Sequence, residues 1–173
     1  MRLAYRVRQF WHAIFARPTP EDLSLARSVL TAPQMLLFEQ LQPSEQVHSI
    51  RICQQLVAQG DTQPDLLVAA LLHDVGKSRY PLQPWDRALI VLAGAAFPAK
   101  SRIWGQGPPR GWQRAFVVAQ QHPAWGAEMA AGAGASPLTV SIIRRHQDSI
   151  PPPNGRDGSC ELLARLKNLD EDN

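Results

Sequence analysis

Cysteine is scarce in this chain of 173 residues: Cys53 and Cys160 lie far apart, with no C-x-x-C spacing. That excludes a disulfide scaffold and a thiolate zinc site, and it favours a reducing compartment, so a cytoplasmic location is expected. A free cysteine otherwise packs as a small hydrophobe, which is the expectation for both. No stretch approaches the roughly 20 apolar residues of a membrane span, so no transmembrane segment is expected. The opening "MRLAYRVRQFWHAIFARP" has scattered arginines and lacks an apolar core followed by a small-residue cleavage site, which argues against a secretory signal. Neither sign of charge dominates: the net charge is +3, with acids and bases interspersed, so nothing marks a dedicated nucleic-acid binder. A negatively charged small-molecule substrate stays open. Also missing are a G-x-S-x-G elbow, a Walker loop, a G-x-G-x-x-G turn, strand-like alternation and any internal repeat.

What is present is helical periodicity, punctuated by 15 prolines and 11 glycines. Leu3, Val7, Phe10, Trp11 and Ile14 make one stripe. "TPED" then opens a helix with Thr19 as cap, Pro20 in the first turn and acids behind it. "TAPQMLLFEQL" follows, then "QPSEQVHSIRICQQLVAQG" from Pro43 to a stopping Gly60. "DTQPDLLVAALLHDVG" is the most apolar helix and is expected to end at Gly76. "WDRALIVLAGAAF" reads as a helix, "PAKSRIWGQGPPRG" as a loop, and "WQRAFVVAQQ", "PAWGAEMAA" and "SPLTVSIIRRHQ" as three further helices. A loop, "DSIPPPNGRDG", leads to a last helix, "SCELLARLKNLDED". The spacing predicts an all-α single domain of about eight to ten helices, with residues 1–18 a basic amphipathic helix and 19–173 the domain proper.

Four of the five histidines, His48, His73, His122 and His146, fall inside or at the end of expected helices. Each alone would read as an ordinary core or surface residue. With Asp74 and Asp170 they form an order along the chain: His, then His-Asp, then two more His, then an Asp near the end of the last helix. Neutral imidazole and carboxylate suit Fe, Mn, Zn, Co or Ni. A carboxylate has two oxygens, so Asp74 can touch two ions while His73 ligates one. A helix end lets consecutive side chains converge where mid-helix geometry would splay them by roughly 100°.

This order resembles the HD-domain superfamily of metal-dependent phosphohydrolases over about Pro43 to Asp172. "LLHDVGK" is similar to its central motif, and His48 in "EQVHSIRICQQL" to its first ligand. "QHPAWGAEMA" and "SIIRRHQ" resemble the segments that supply histidines to a second metal in binuclear members, and "LLARLKNLDED" the closing aspartate helix. The resemblance implies an HD-type helical bundle with two divalent transition metals. It places His48, His73, Asp74 and Asp170 on the first, and Asp74, His122 and His146 on the second. It further implies hydrolysis of a nucleotide or dinucleotide by a metal-bound hydroxide, with Asp74 and Lys77 in catalytic roles. The alternative is a non-catalytic HD module that keeps its metals for ligand binding or dimerisation.

Lys77 has two readings: a cation at a helix C-terminus, or a contact to the substrate phosphate. Arg79, Arg114 and Arg145 are candidates for further phosphate contacts. The segment from Arg79 to Arg114 reads as a lid or specificity element in which Trp85, Trp104 or Trp112 stacks on a base, or as a packed insertion. The N-terminal stripe has arginines at 2, 6, 8 and 17 and no acid before Glu21, so membrane-surface contact, homodimerisation or packing on its own domain are all open. Cyclic-dinucleotide phosphodiesterases of the HD-GYP type resemble the chain incompletely, because Arg145, His146 and Gln147 lead into "DSIPPP" rather than a G-Y-P tripeptide. Compact binuclear hydrolases of dinucleoside polyphosphates share the ligand order and the "GAE" element.

Overall fold

The computed structural model describes residues 16–149 and 158–172. Among them are nine α-helices and no strand. They are α1 (Pro20–Val29), α2 (Ala32–Phe38), α3 (Pro43–Ala58), α4 (Pro64–Leu72), α5 (Pro84–Ala96), α6 (Pro98–Trp104), α7 (Arg114–Gly132), α8 (Pro137–Arg145) and α9 (Gly158–Asp172). The all-α class expected from the periodicity is the class observed. Of the expected N-terminal helix only residues 16–18 are described, and they are not helical. The rest lies outside the described residues, as does most of the loop that follows Ser149. None of the described helices is long and apolar enough to cross a membrane.

Prolines begin these helices. Seven of the nine carry one in the first two positions, where the missing N–H is an orphan donor anyway and the fixed φ suits the helix. At α1 the Thr19 side chain accepts from the Asp22 amide while Asp22 accepts from the Thr19 amide, a reciprocal cap. At α8 the cap is one-sided: the Ser136 hydroxyl accepts from the Thr139 amide.

Helix α4 is the axis of the core. Its Leu66, Ala69, Ala70, Leu71 and Leu72 are all buried, and α1, α2, α3, α8 and α9 pack around it. Phe38, Ile52, Leu56, Ile142, Ile143, Leu163 and Leu166 complete the same cluster. A short helix apolar on every side can only be a buried one. A smaller cluster of Leu82, Ala115 and Val118, with Ile90 and Trp125 against it, fastens α5 to α7.

Three expectations are corrected. The α4 helix stops at Leu72 rather than Gly76: Asp74 takes φ −95°, ψ 0°, and Val75–Arg79 continue as a 3₁₀ helix. The tighter turn swings His73 and Asp74 toward one point, which a continuous α-helix would not do. The two helices expected either side of Pro123 are one, α7, with Pro123 inside it. Burial of Phe116, Val117 and Val118 before the proline, and of Gly126, Ala127 and Ala130 after it, outweighs the lost hydrogen bond. The stretch expected to be a loop from Pro98 is helical as far as Trp104, because the irregular glycines and prolines begin only at Gly105.

The 3₁₀ turn lies directly on α7. A Cβ added at Gly76 would sit 2.1 Å from the His122 carbonyl oxygen and 2.7 Å from the Gly126 amide nitrogen, whereas one added at Gly126 would come no nearer than 3.1 Å, to Gly76 N. Two backbones touching here hold His73-Asp74 against His122. Gly76→Ala should therefore cost about 3 kcal/mol, the upper range for forcing atoms into packed space. Gly126→Ala should cost less than about 1 kcal/mol, since the gain in helix propensity offsets a milder contact. Urea unfolding of the two variants checks the difference, and equal losses would mean that the crossing can relax.

Candidate metal centre

Five helices deliver the six expected ligands. His48 lies mid-way along α3, His73 caps the C-terminus of α4 with Asp74 next to it, and His122 lies mid-way along α7. His146 caps the C-terminus of α8, and Asp170 sits near the end of α9. His73, Asp74, His122 and His146 are buried, while His48 and Asp170 are about a quarter exposed at the rim.

Three imidazoles are locked by their own helices. Nδ1 of His73 lies 2.9 Å from the Ala70 carbonyl, that of His122 2.9 Å from Val118, and that of His146 2.8 Å from Ile143. Each carbonyl can only accept, so each Nδ1 carries the hydrogen and each Nε2 is left as a lone pair aimed inward. His122 Nε2 and His146 Nε2 then face each other at 3.2 Å. His122 Nε2 is also 3.2 Å, and His146 Nε2 3.9 Å, from Asp74 Oδ1. On the other side His73 Nε2 is 3.5 Å from both Asp74 Oδ2 and Asp170 Oδ1, and His48 Nε2 is 2.8 Å from Asp170 Oδ1. His73 Nε2 is fully buried and has no hydrogen-bond partner.

Lone pairs and carboxylate oxygens gathered without hydrogens between them need positive charge, from added protons or from a metal cation. Two groups have ligand atoms within 4.8 Å of one another: His48, His73 and Asp74, and Asp74, His122 and His146. Asp74 belongs to both, with Oδ1 toward one group and Oδ2 toward the other. The orphaned His73 Nε2 and the facing His122 and His146 nitrogens fit divalent metal, and nitrogen with carboxylate is a donor set for transition ions. A model of the HD domain family matches residues 46–171. The chain belongs to the HD domain family. No curated protein and no solved structure matches it significantly. The HD superfamily is one of metal-dependent phosphohydrolases, whose members bind divalent metals.

The charges around this HD site are arranged for ionised carboxylates. Burial opposes ionisation of Asp74, yet the Lys77 ammonium, 2.6 Å away, and the His73 and His122 imidazoles outweigh it and hold the carboxyl well below its ordinary range. Burial likewise opposes ionisation of Asp170, and the hydrogen bond to His48 together with the nearby His73 imidazole overcomes it, so its acidity is strengthened too. For His146, burial and then the neighbouring His73 push the pKa down to about 3, which keeps the ring neutral. Burial would also lower His73, but Asp74 and Asp170 prevail and raise it above 6.5.

Outside the six, Lys77 is a quarter exposed and hydrogen-bonded to Asp74 Oδ2. Arg145 precedes His146 and stretches toward Asp148 at 3.9 Å. Arg79 lies over the Trp125 ring, 4.0 Å from Glu128. Arg114 donates to Asp86 at 2.6 Å and to the Pro81 carbonyl at 3.1 Å, two helical turns along α7 from His122. Trp104 packs edge-on against Trp112 and Phe116. Sequence reasoning missed Glu45, three residues before His48. Buried, with its carboxyl raised by that burial, it receives Arg87 Nη2 at 2.9 Å and so ties α5 to the ligand-bearing helix. Its other oxygen accepts from the Gln42 amide at 3.1 Å and closes the first turn of α3, and no local spacing signals the Arg87 tie.

Metal should compete with a proton on His73. Because its folded pKa lies above the unfolded value, the protonated ring stabilises the metal-free fold fully below about 6.5 and that contribution fades as the pH rises through the folded pKa. Affinity for Mn(II) should therefore climb from pH 6 to 8, with protons released on binding. Calorimetric titration in buffers of different ionisation enthalpy reads both, and a flat profile without proton release would contradict the competition. Chelation should lower the melting temperature of the metal-loaded protein at pH 7.5, by the linkage between binding and folding.

Proposed function

We propose that this HD domain is a binuclear phosphohydrolase, a phosphodiesterase or phosphatase acting on a nucleotide or dinucleotide. The observation that carries the reading is Asp74, whose two oxygens face two separate sets of imidazole nitrogens. In this reading His48, His73, Asp74 and Asp170 hold one ion, and Asp74, His122 and His146 the other. A pair of divalent ions would supply Lewis acidity at a phosphoryl oxygen and an activated water near neutral pH, which removes the need for a serine or cysteine nucleophile.

The chain's own residues do the rest. The carbonyls of Ala70, Val118 and Ile143 fix the ring orientations, so the donor atoms need no reorganisation when substrate arrives. Lys77 keeps Asp74 ionised, and its partly exposed ammonium is the cation best placed to receive a substrate phosphate. Arg145, adjacent to His146, is the next candidate. Arg114 is engaged by Asp86 and Pro81, which supports a structural tie for it in preference to the substrate contact expected from the sequence. The departure from the HD-GYP pattern after His146 favours a linear nucleotide or dinucleotide over a cyclic one.

Protein loaded with Mn(II) or Fe(II) should hydrolyse bis-p-nitrophenyl phosphate or a member of a nucleotide and dinucleotide panel, and Asp74→Asn should reduce turnover by about a thousandfold or more. Lys77→Gln should retain metal yet lose about 10- to 100-fold in kcat/KM, the worth of one charged hydrogen bond. A fully metallated protein inert on the whole panel would instead favour a non-catalytic HD module.

A further inference from the structure

Helix α5 breaks the rule that the other long helices obey. It is strongly apolar, yet its only buried residue is Asp86, held by Arg114. Its inward face, around Ile90, meets α7, and its outward face carries a second apolar stripe. Trp85, Leu89 and Leu92 follow one another at helical spacing on that stripe, Val91 is exposed on its flank about 100° round from Leu92, and Phe97 and Ile103 are exposed in the turn that follows and on α6. Trp85, Val91, Leu92 and Ile103 are 67, 70, 69 and 66% exposed. A soluble surface does not normally collect that much apolar area in one place, so it is a contact face.

Charge decides what it contacts. From Arg79 to Arg114 the chain has six cations, Arg79, Arg87, Lys100, Arg102, Arg110 and Arg114, and one acid, Asp86, a net of +5. Arg87 and Arg114 are spent on Glu45 and Asp86, whereas Lys100, Arg102 and Arg110 are exposed and have no ion-pair partner among the described residues. A second copy docking face to face would bring two such cationic rims together. The chain's own N-terminal segment is cationic as well, with Arg2, Arg6, Arg8 and Arg17 and no acid before Glu21. Like charge thus disfavours both occupants. An anionic, apolar partner complements the face in both respects.

We propose that the α5–α6 hairpin lies in the surface of an anionic membrane, with Trp85, Leu89, Val91, Leu92, Phe97 and Ile103 entering the headgroup boundary and Lys100, Arg102 and Arg110 meeting lipid phosphates. The pattern is that of an interfacial element: two consecutive helices that expose aromatic and aliphatic side chains, with unpaired cations interspersed among them. The hairpin is joined to the metal centre by the 3₁₀ turn and by the Arg87–Glu45 tie, so docking would fix the orientation of the site relative to the lipid. Tyr80 and Trp125, in tilted ring contact, lie at that junction.

The test is co-sedimentation of the full chain with vesicles of phosphatidylcholine alone and of phosphatidylcholine with phosphatidylglycerol. Expected is pelleting with the anionic vesicles only, reduced by high salt, with a blue shift of tryptophan emission. Val91→Ser combined with Leu92→Ser, and separately Lys100→Glu combined with Arg102→Glu, should each weaken partitioning by about tenfold or more, in proportion to the apolar area and charge removed. Both pairs are exposed, so circular dichroism and metal content should match the parent. Failure to pellet with anionic vesicles overturns the proposal. So does binding that both variants leave intact, which would move the contact to another surface such as the N-terminal segment. A dimer in light scattering that Val91→Ser with Leu92→Ser dissociates, without lipid binding, overturns it in favour of a second copy.

Discussion

A carboxylate that must stay ionised where water barely reaches governs this structure. Asp74 is almost completely buried, and an isolated charge there would cost several kcal/mol even after relaxation. The fold meets that cost with Lys77, which touches one oxygen, and with the His73 and His122 imidazoles beside it, while the neutral His146 ring closes the site and completes its donor atoms. Each partner arrives from a different element, so the charge can be compensated only if the 3₁₀ turn, α4, α7 and α8 all end up in register. The polar centre therefore acts as a keystone, and metal would tighten it further by replacing protons among the facing nitrogens.

Rigidity comes from the apolar side. Helix α4 is encased by five other helices, so its C-terminus cannot drift, and His73 and Asp74 leave it at a fixed point. The contact between Gly76 and the His122 backbone brings α7 closer than any side chain would allow. One absent methyl group thus sets the distance between the two halves of the donor set. Helix ends and close backbone crossings do here what a loop could not, because a loop would leave donor positions free to move by an ångström or more.

Much of this was legible in the sequence because the physics is local. Proline starts, the cap at Thr19 and the apolar run of α4 fixed most helices, and six polar residues in a set order marked the centre. Misreadings arose where tertiary packing outvotes local preference. Pro123 reads as a break, and it would be one in an isolated helix, but buried side chains on both flanks carry α7 through it. Gly76 reads as a stop, whereas its function is the crossing with α7, which depends on a residue 46 positions away and cannot be seen from spacing. Glu45 passes unremarked in the sequence because its role as the anchor of Arg87 is a pairing across 42 residues of chain.

The same contrast separates the two parts of the domain. In the bundle around α4, apolar faces look inward and every polar residue of the centre has an assignable partner or ligand role. In the insertion from Arg79 to Arg114, Leu82, Ile90 and Trp104 pack inward beside three polar ties, Gln42 to Leu82, Glu45 to Arg87 and Asp86 to Arg114, while Trp85, Leu89, Val91 and Leu92 stay exposed. A small apolar contact supplemented by polar ties holds the element in place while using only part of its hydrophobic surface, and so leaves the rest available. A hairpin that folded merely to complete the core would have been built the other way round, with Leu89, Val91 and Leu92 against α7 and Arg87 in solvent. The inversion is what a segment looks like when its apolar area belongs to an interface with something other than its own domain.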